Sequence, residues 1–251
     1  PEGEVIDRVA ATRGYVAFAT DAHSLITLSD AGEFLWVHVV DPPSTLSVRG
    51  VGSPVFFGNL VIAGFVDGTI RAFDAESGKP TWRVELKKQG EMRDVDSDPL
   101  LVGSTIYTAA YRGHLFAIDA RTAGILWRYP AGSIASAAFG AGKVFYATDT
   151  GALVALDAKT GEKLWEIEIA RIDRRSAFVK VSSPSFATAP VYRNGYLVFG
   201  TSRGNLAVVD AQSGELVFKR SLSSSISARP LVADGAVLVH TDQDCLYCFV
   251  P

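Results

Sequence analysis

Apolar residues run through this chain in short bursts, and each burst ends at glycine, aspartate or asparagine. Between residues 55 and 74 the chain reads VFFGNLVIAGFVDGTIRAFD, with breaks at Gly58-Asn59 and Asp67-Gly68. Runs of this length bounded by Asn or Asp next to Gly are the signature of antiparallel strands joined by tight turns. No window sustains the 3.6-residue period of a helix. The pattern predicts an all-β chain.

The pattern repeats. GTIRAFDAESGKPTW (68–82), GHLFAIDARTAGILW (113–127), GALVALDAKTGEKLW (151–165) and GNLAVVDAQSGELVF (204–218) align without gaps. In each, an aspartate stands eight residues before a closing aromatic: Asp74/Trp82, Asp119/Trp127, Asp157/Trp165 and Asp210/Phe218. A shorter copy, SLITLSDAGEFLW (24–36), carries Asp30 and Trp36, and a sixth, DCLYCFVP (244–251), stops before its Asp. Upstream of the copies lie further strand pairs, such as SPVFFGNLVIAGFVDG (53–68), DPLLVGSTIYTAAYRG (98–113) and APVYRNGYLVFGTSRG (189–204). Four strands recurring at about 45 residues are propeller blades. The expected fold is a single domain, a six-bladed β-propeller of four-stranded antiparallel blades. Its units lie at about 10–40, 51–86, 97–130, 134–169, 187–222 and 227–251. The N-terminal EGEVIDRV (2–9) resembles GEKLWEIE (161–168) and is expected to supply the last blade's missing strand and close the ring.

Residues repeated in every copy build the copies. The turn aspartate can accept backbone N–H groups of its own turn, and the closing aromatic, Trp36, Trp82, Trp127, Trp165 or Phe218, is expected to be buried between blades.

Charge and cysteines narrow the function little. The net charge of −3 over 251 residues lacks the basic excess of a nucleic-acid binder. No apolar run reaches the roughly 18 residues that span a bilayer, and no signal-peptide pattern stands at the N-terminus. Cys245 and Cys248 are three apart in a strand, on opposite faces, and read as small core-filling thiols.

Catalytic patterns are sparse. His23, His38, His114 and His240 have no metal-binding spacing, and no G-x-S-x-G or phosphate loop occurs. RDVDSDP (93–99) puts Asp94, Asp96 and Asp98 at alternate positions. A calcium loop of that type needs Gly at its sixth position and Glu at its twelfth, where Pro99 and Thr105 stand, so the metal reading fails. Asp98 is instead expected to cap a strand opening.

The unit A-x-D-x-x-[ST]-G-x-x-x-W resembles the repeat of pyrroloquinoline-quinone-like propellers, which occurs in quinoprotein dehydrogenases and in non-catalytic scaffolds alike. STLSVRGVGSP (44–54) and the stretch from Arg93 to Arg128 resemble lipoprotein B of the outer-membrane β-barrel assembly machinery. In that family an L-x-[LV]-R-G loop and a D-V-D loop contact periplasmic domains of the barrel-forming subunit. The resemblance assigns partner binding to Leu46, Val48 and Arg49 in the first loop and to Asp94 and Asp96 in the second. The family typically has eight blades and an N-terminal lipidated cysteine; six copies and no such cysteine are read here.

Register points the same way. Arg49 stands five residues before Pro54 and Asp94 five before Pro99, and both prolines open a blade's inner strand. The loops should leave one face, one blade apart, so that Arg49 can pair with Asp94 or Asp96 beside apolar Leu46 and Val48.

The implied protein is a non-catalytic scaffold without cofactor or metal, an accessory subunit in assembly and insertion of outer-membrane β-barrel proteins. Its expected partners are the periplasmic domains of the barrel-assembly subunit and unfolded outer-membrane proteins, not nucleic acid. It is expected to be a periplasmic monomer at the inner face of the outer membrane. The alternatives are a quinone-dependent dehydrogenase and a ligand-sensing propeller with Ser53, Ser136 and Arg229 along its channel. A basic insertion, 170–190, carrying Arg171, Arg174, Arg175 and Lys180, reads as solvated charge.

Overall fold

A computed structural model describes residues 3–5, 8–40, 51–86, 95, 97–173 and 184–250. Within them the chain forms six consecutive antiparallel sheets, each strand hydrogen-bonded to its neighbour in sequence. The first holds β1 (Ala10–Thr12), β2 (Tyr15–Ala19), β3 (Ser24–Ser29) and β4 (Phe34–Val39). The second holds β5 (Val55–Phe57), β6 (Leu60–Gly64), β7 (Thr69–Asp74) and β8 (Pro80–Glu85). The third follows with β9 (Leu100–Val102), β10 (Thr105–Ala109), β11 (Leu115–Asp119) and β12 (Ile125–Tyr129). The fourth comprises β13 (Ala138–Gly140), β14 (Lys143–Ala147), β15 (Ala152–Asp157) and β16 (Lys163–Glu168). After a one-turn helix, α1 (Ile169–Asp173), comes the fifth: β17 (Val191–Arg193), β18 (Tyr196–Gly200), β19 (Asn205–Asp210) and β20 (Leu216–Ser221). The sixth has three strands, β21 (Leu231–Ala233), β22 (Ala236–His240) and β23 (Leu246–Phe249). The chain divides into two compact units, Pro1–Ser136 and Ala137–Pro251.

The repeated aspartates do what their turns require. Asp119 Oδ1 accepts the amides of Arg121 (2.8 Å) and Thr122 (3.0 Å), and Asp157 Oδ1 those of Lys159 and Thr160, both at 2.9 Å. Asp74 takes the Ser77 hydroxyl and amide, and Asp210 the amides of Ser213 and Gln212. These bonds hold all four carboxyls below the ordinary aspartate range, because each favours the ionised form. One irregularity precedes each such turn: the ladder slips at Ala72/Phe73, Ala117/Ile118, Ala155/Leu156 and Val208/Val209. Such bulges increase the local twist of the outer strand.

The same turns close with a residue in the left-handed region: Gly78 (φ 68°), Gly161 (73°) and Gly214 (76°). In the third sheet Ala123 stands there, at φ 61°. A Cβ in that region costs roughly 1–2 kcal/mol, partly offset by the larger unfolded-state entropy of glycine. Ala123→Gly should therefore stabilise the protein by about 0.5–1 kcal/mol in urea unfolding. An unchanged or lowered midpoint would mean the turn bears no strain.

Successive sheets are joined by the closing tryptophans. Trp36 Nε1 donates to the Ala75 carbonyl (2.9 Å), Trp82 to Ala120 (3.0 Å) and Trp165 to Ala211 (3.2 Å), in each case the alanine after the next sheet's turn aspartate. The ring lies where the turn glycine has no side chain: a Cβ at Gly78 would sit 2.7 Å from Trp36, and one at Gly214 2.9 Å from Trp165. Trp36 and Trp127 are buried, and Trp82 and Trp165 are partly so.

Three expectations are corrected. Phe218 is 44% exposed, not buried; among the described residues the sixth sheet presents no aspartate turn against it. Cys245 and Cys248 are both exposed rather than core-filling, since they flank or lie on β23, the outermost strand of that three-stranded sheet. Among the described residues, the N-terminal segment pairs with the first sheet, not with the sixth as expected. Val5 bridges Thr20, and the Asp21 amide donates to the Glu4 carbonyl (3.1 Å), matching the bridge Ala187–Thr201 and the bond from Ser202 to Phe186 (2.9 Å). Residues 3–5 thus lead into the first sheet as residues 185–187 lead into the fifth. Their alternation resembles an outer strand, but the end of β2 in their own sheet lies nearer in the chain.

Candidate functional site

Leu46, Val48, Arg49, Asp94 and Asp96 all lie outside the described residues. The structure instead describes the ends of the chain that carry them. Segment 41–50 leaves β4 after Val40, whose amide donates to the His23 carbonyl (3.2 Å), and returns at Val51 and Gly52. The second segment leaves β8 at Leu86, held by its amide to the Gly68 carbonyl (2.9 Å).

Both returns converge on the end of β6. The Gly52 amide donates to the Gly64 carbonyl (3.0 Å), and the Val95 amide to the Phe65 carbonyl (3.3 Å). Val95, between the two aspartates of the D-V-D motif, is fully buried, and its carbonyl occupies the space a Gly64 Cβ would need. Ser97, also fully buried, donates to the Ala109 carbonyl (3.0 Å) and accepts the Ala109 amide (2.8 Å).

Asp98, expected to cap its own strand opening, reaches other strands instead. Its Oδ1 accepts the amide of Ser53 (2.9 Å), and its Oδ2 accepts Arg8 Nη2 (2.7 Å) and Ser136 Oγ (3.0 Å). Burial pushes this carboxyl up, yet the Arg8 guanidinium and the Ser53 amide outweigh that and hold it below the usual range. Ser53 and Ser136, expected along a channel, are thereby brought into one cluster; Arg229 belongs to the other compact unit. Sequence reasoning missed Arg8. Counting back two residues from each innermost strand would have found it, since that position holds Arg8, Ser53, Asp98 and Ser136 in turn.

A second polar group lies near the start of segment 41–50. His38 Nε2 is 3.0 Å from Arg71 Nη1, and Arg71 also pairs with Asp67 and covers the Phe65 ring at 5.0 Å. Burial, then the Arg71 charge, lowers the His38 pKa from its ordinary 6.5, against a smaller opposing effect of Asp67. A depressed folded-state value means the neutral ring is favoured by folding. Stability is then full above the unfolded value and falls as acidification passes below about 6.5 toward the folded value. The melting temperature should therefore drop further between pH 7.5 and 5.5 in the wild type than in His38→Gln. Equal drops would show that His38 does not couple to folding.

The basic insertion is described only in part. Arg171 pairs with Glu168 (3.2 Å), while Arg174, Arg175 and Lys180 lie outside the described residues. Buried Asp173, unremarked in the sequence, accepts Thr201 Oγ1 (2.6 Å) and Asn205 Nδ2 (2.7 Å), anchoring α1 on the fifth sheet. Among the described residues no three His, Cys, Asp or Glu side chains gather as a metal site.

Comparison with known proteins places this geometry in a family. Curated relatives described as outer membrane protein assembly factor BamB include that of Vibrio cholerae, 30% identical over 95% of this chain and 61% of its own length. That of Yersinia pestis is 29% identical over 98% of this chain and 62% of its length. The chain thus spans about three-fifths of these relatives. Among solved structures, BamB from Moraxella catarrhalis superimposes with a TM-score of 0.79 at 23% identity, covering 96% of this chain and 70% of that one. A quinohemoprotein alcohol dehydrogenase from Comamonas testosteroni superimposes at 0.67 with 16% identity, covering 88% of this chain and 43% of that one; at such identity the likeness is one of fold. The repeated antiparallel sheets and this likeness of fold are consistent with a β-propeller. The family model for outer membrane protein assembly factor BamB matches residues 1–167 and 150–249, and the chain belongs to that family.

Proposed function

We propose that this chain is a non-catalytic protein-binding scaffold, an accessory subunit in the assembly and insertion of outer-membrane β-barrel proteins. It acts in the periplasm at the inner face of the outer membrane, as a monomer, with its six sheets as blades of one propeller domain. Its partner surface is formed by 44–51 and 91–97, with Leu46 and Val48 at the centre and Arg49, Asp94 and Asp96 around them. The observation that carries this reading is the bond from the Ser53 amide to Asp98, which ties together the return ends of the two segments. Two loops so joined can present one surface, with an apolar centre and charged rim suited to a protein. The partners are the periplasmic domains of the barrel-forming subunit, with unfolded outer-membrane proteins as further clients.

The test is direct binding of the purified chain to the isolated periplasmic domains of the barrel-forming subunit from the same bacterium. Saturable binding of micromolar affinity or better is expected. A folded chain that does not bind, or that purifies with quinone absorbance and reduces dye with an alcohol, overturns the proposal.

A further inference from the structure

Four chain segments meet at one carboxylate. Arg8 precedes β1, Ser53 precedes β5, Asp98 precedes β9 and Ser136 precedes β13, each by two residues. The outermost pair is 128 residues apart in sequence, yet Arg8 Nη2 lies 3.3 Å from Ser136 Oγ. The Arg8 amide also donates to Ser53 Oγ (3.2 Å), so that the N-terminal segment is held by both its backbone and its side chain. Asp98 is at the centre. Its side chain is 9% exposed while that of Arg8 is 56% exposed, so the guanidinium covers a carboxylate that water scarcely reaches.

Burying such a charge is tolerated only while its partners stay in place, and removing one strands the rest. Asp98 follows the D-V-D motif by two residues, and the Ser53 amide it holds follows the L-x-[LV]-R-G motif by three. Beneath them, Gly52 and Val95 are tied to the adjacent carbonyls of Gly64 and Phe65. The β6 end therefore fixes the height of both returns, and only the Asp98 carboxylate bonds one return to the other among the described contacts.

We propose that Asp98, clamped by Arg8, is the positioning residue of the partner surface: it sets the spacing between the two loops, and Arg8 acts through it. This rests on the reading that 44–51 and 91–97 bind the partner. Neither residue need touch the partner for the effect to be large, because a surface assembled from two loops loses complementarity when their bases separate.

The experiment has two arms. Amide hydrogen exchange compares the wild type with Asp98→Ala and Asp98→Asn; the second keeps the shape and an acceptor for Ser53 but gives up the charge that holds Arg8. Exchange at Gly52, Ser53 and Val95 should quicken about tenfold or more in Asp98→Ala, and less in Asp98→Asn, while β10 and β11 stay protected. Binding to the periplasmic domains of the barrel-forming subunit should weaken about tenfold in Asp98→Ala. Arg8→Ala should weaken it too, Arg8→Lys should restore part of the loss, and the Arg8→Ala/Asp98→Ala double variant should bind no worse than Asp98→Ala alone. Additive losses, or no rescue by Arg8→Lys, would mean that Arg8 does not act through Asp98 and would overturn the proposal. Unchanged exchange at Gly52 and Ser53 overturns the proposal, as does quickened exchange with undiminished binding, which leaves the binding reading standing. Failure of the wild type to bind defeats that reading and the proposal with it. If Asp98→Ala does not fold, Asp98→Asn and Arg8→Ala carry the same comparison.

Discussion

Trp36→Ala should lower stability by about 3–5 kcal/mol, the range for deleting a large buried aromatic. Trp36 is 9% exposed, its ring fills the space left by Gly78, and it lies 5.6 Å from the Phe73 ring. Truncation opens a cavity between the first and second sheets and orphans the Ala75 carbonyl, which loses its indole donor. Trp36→Phe keeps most of the packing and should lose less, on the order of 1–2 kcal/mol for the missing hydrogen bond and the smaller ring. Phe218→Ala is the control. It occupies the same repeat position, but with 44% exposure and no turn against it the loss should stay below about 1 kcal/mol. Chemical denaturation of the three variants decides the matter. If Trp36→Ala costs no more than Phe218→Ala, indole docking on the next turn is not what joins the sheets.

Those two residues also show why some of the fold could be read from the chain and some could not. The turn aspartate and the closing tryptophan are legible because each contact needs a fixed residue at a fixed offset. Asp157 caps amides two and three residues on, and Gly214 leaves room for an indole from the preceding sheet. Phe218 matches the pattern equally well, but its burial depends on a turn that the sixth copy does not carry. A repeat specifies what a residue offers; its neighbour decides whether the offer is met.

The candidate site was legible to a lesser degree. Asp98 before a strand-opening proline reads as a cap of its own strand, but the amide it caps is that of Ser53, two residues before β5. Nothing local marks Arg8 as its partner, because the two are 90 residues apart and meet only through the stacking of sheets. The N-terminal segment misled for a related reason. Alternation says that a segment is extended, not which strand it joins, and Val5 bridges Thr20 at the end of β2.

On the proposed partner surface, charge reversal at Arg49 should cost the complex about 2–5 kcal/mol, the cost of breaking a pair with Asp94 or Asp96 that association would desolvate. The expectation follows from register and from the loop bases. Arg49 and Asp94 stand at the same distance before their strand-opening prolines, and the returns that follow them are bonded through Ser53 and Asp98. An arginine at the rim of an apolar centre loses water when a partner covers it, and its carboxylate neighbour then supplies the replacement bonds. Glutamate at position 49 would set two or three carboxylates against one another on the same surface, adding repulsion to the lost pair. The fold should not suffer, because Arg49 stands in the chain between β4 and β5. Circular dichroism and melting temperature of Arg49→Glu should therefore match the wild type, while binding to the periplasmic domains falls more than tenfold. Lys159→Glu, a change of equal charge in the exposed turn of the fourth sheet, should leave binding intact. If both folded variants bind as the wild type does, 44–51 is a connector and the partner surface lies elsewhere on the chain.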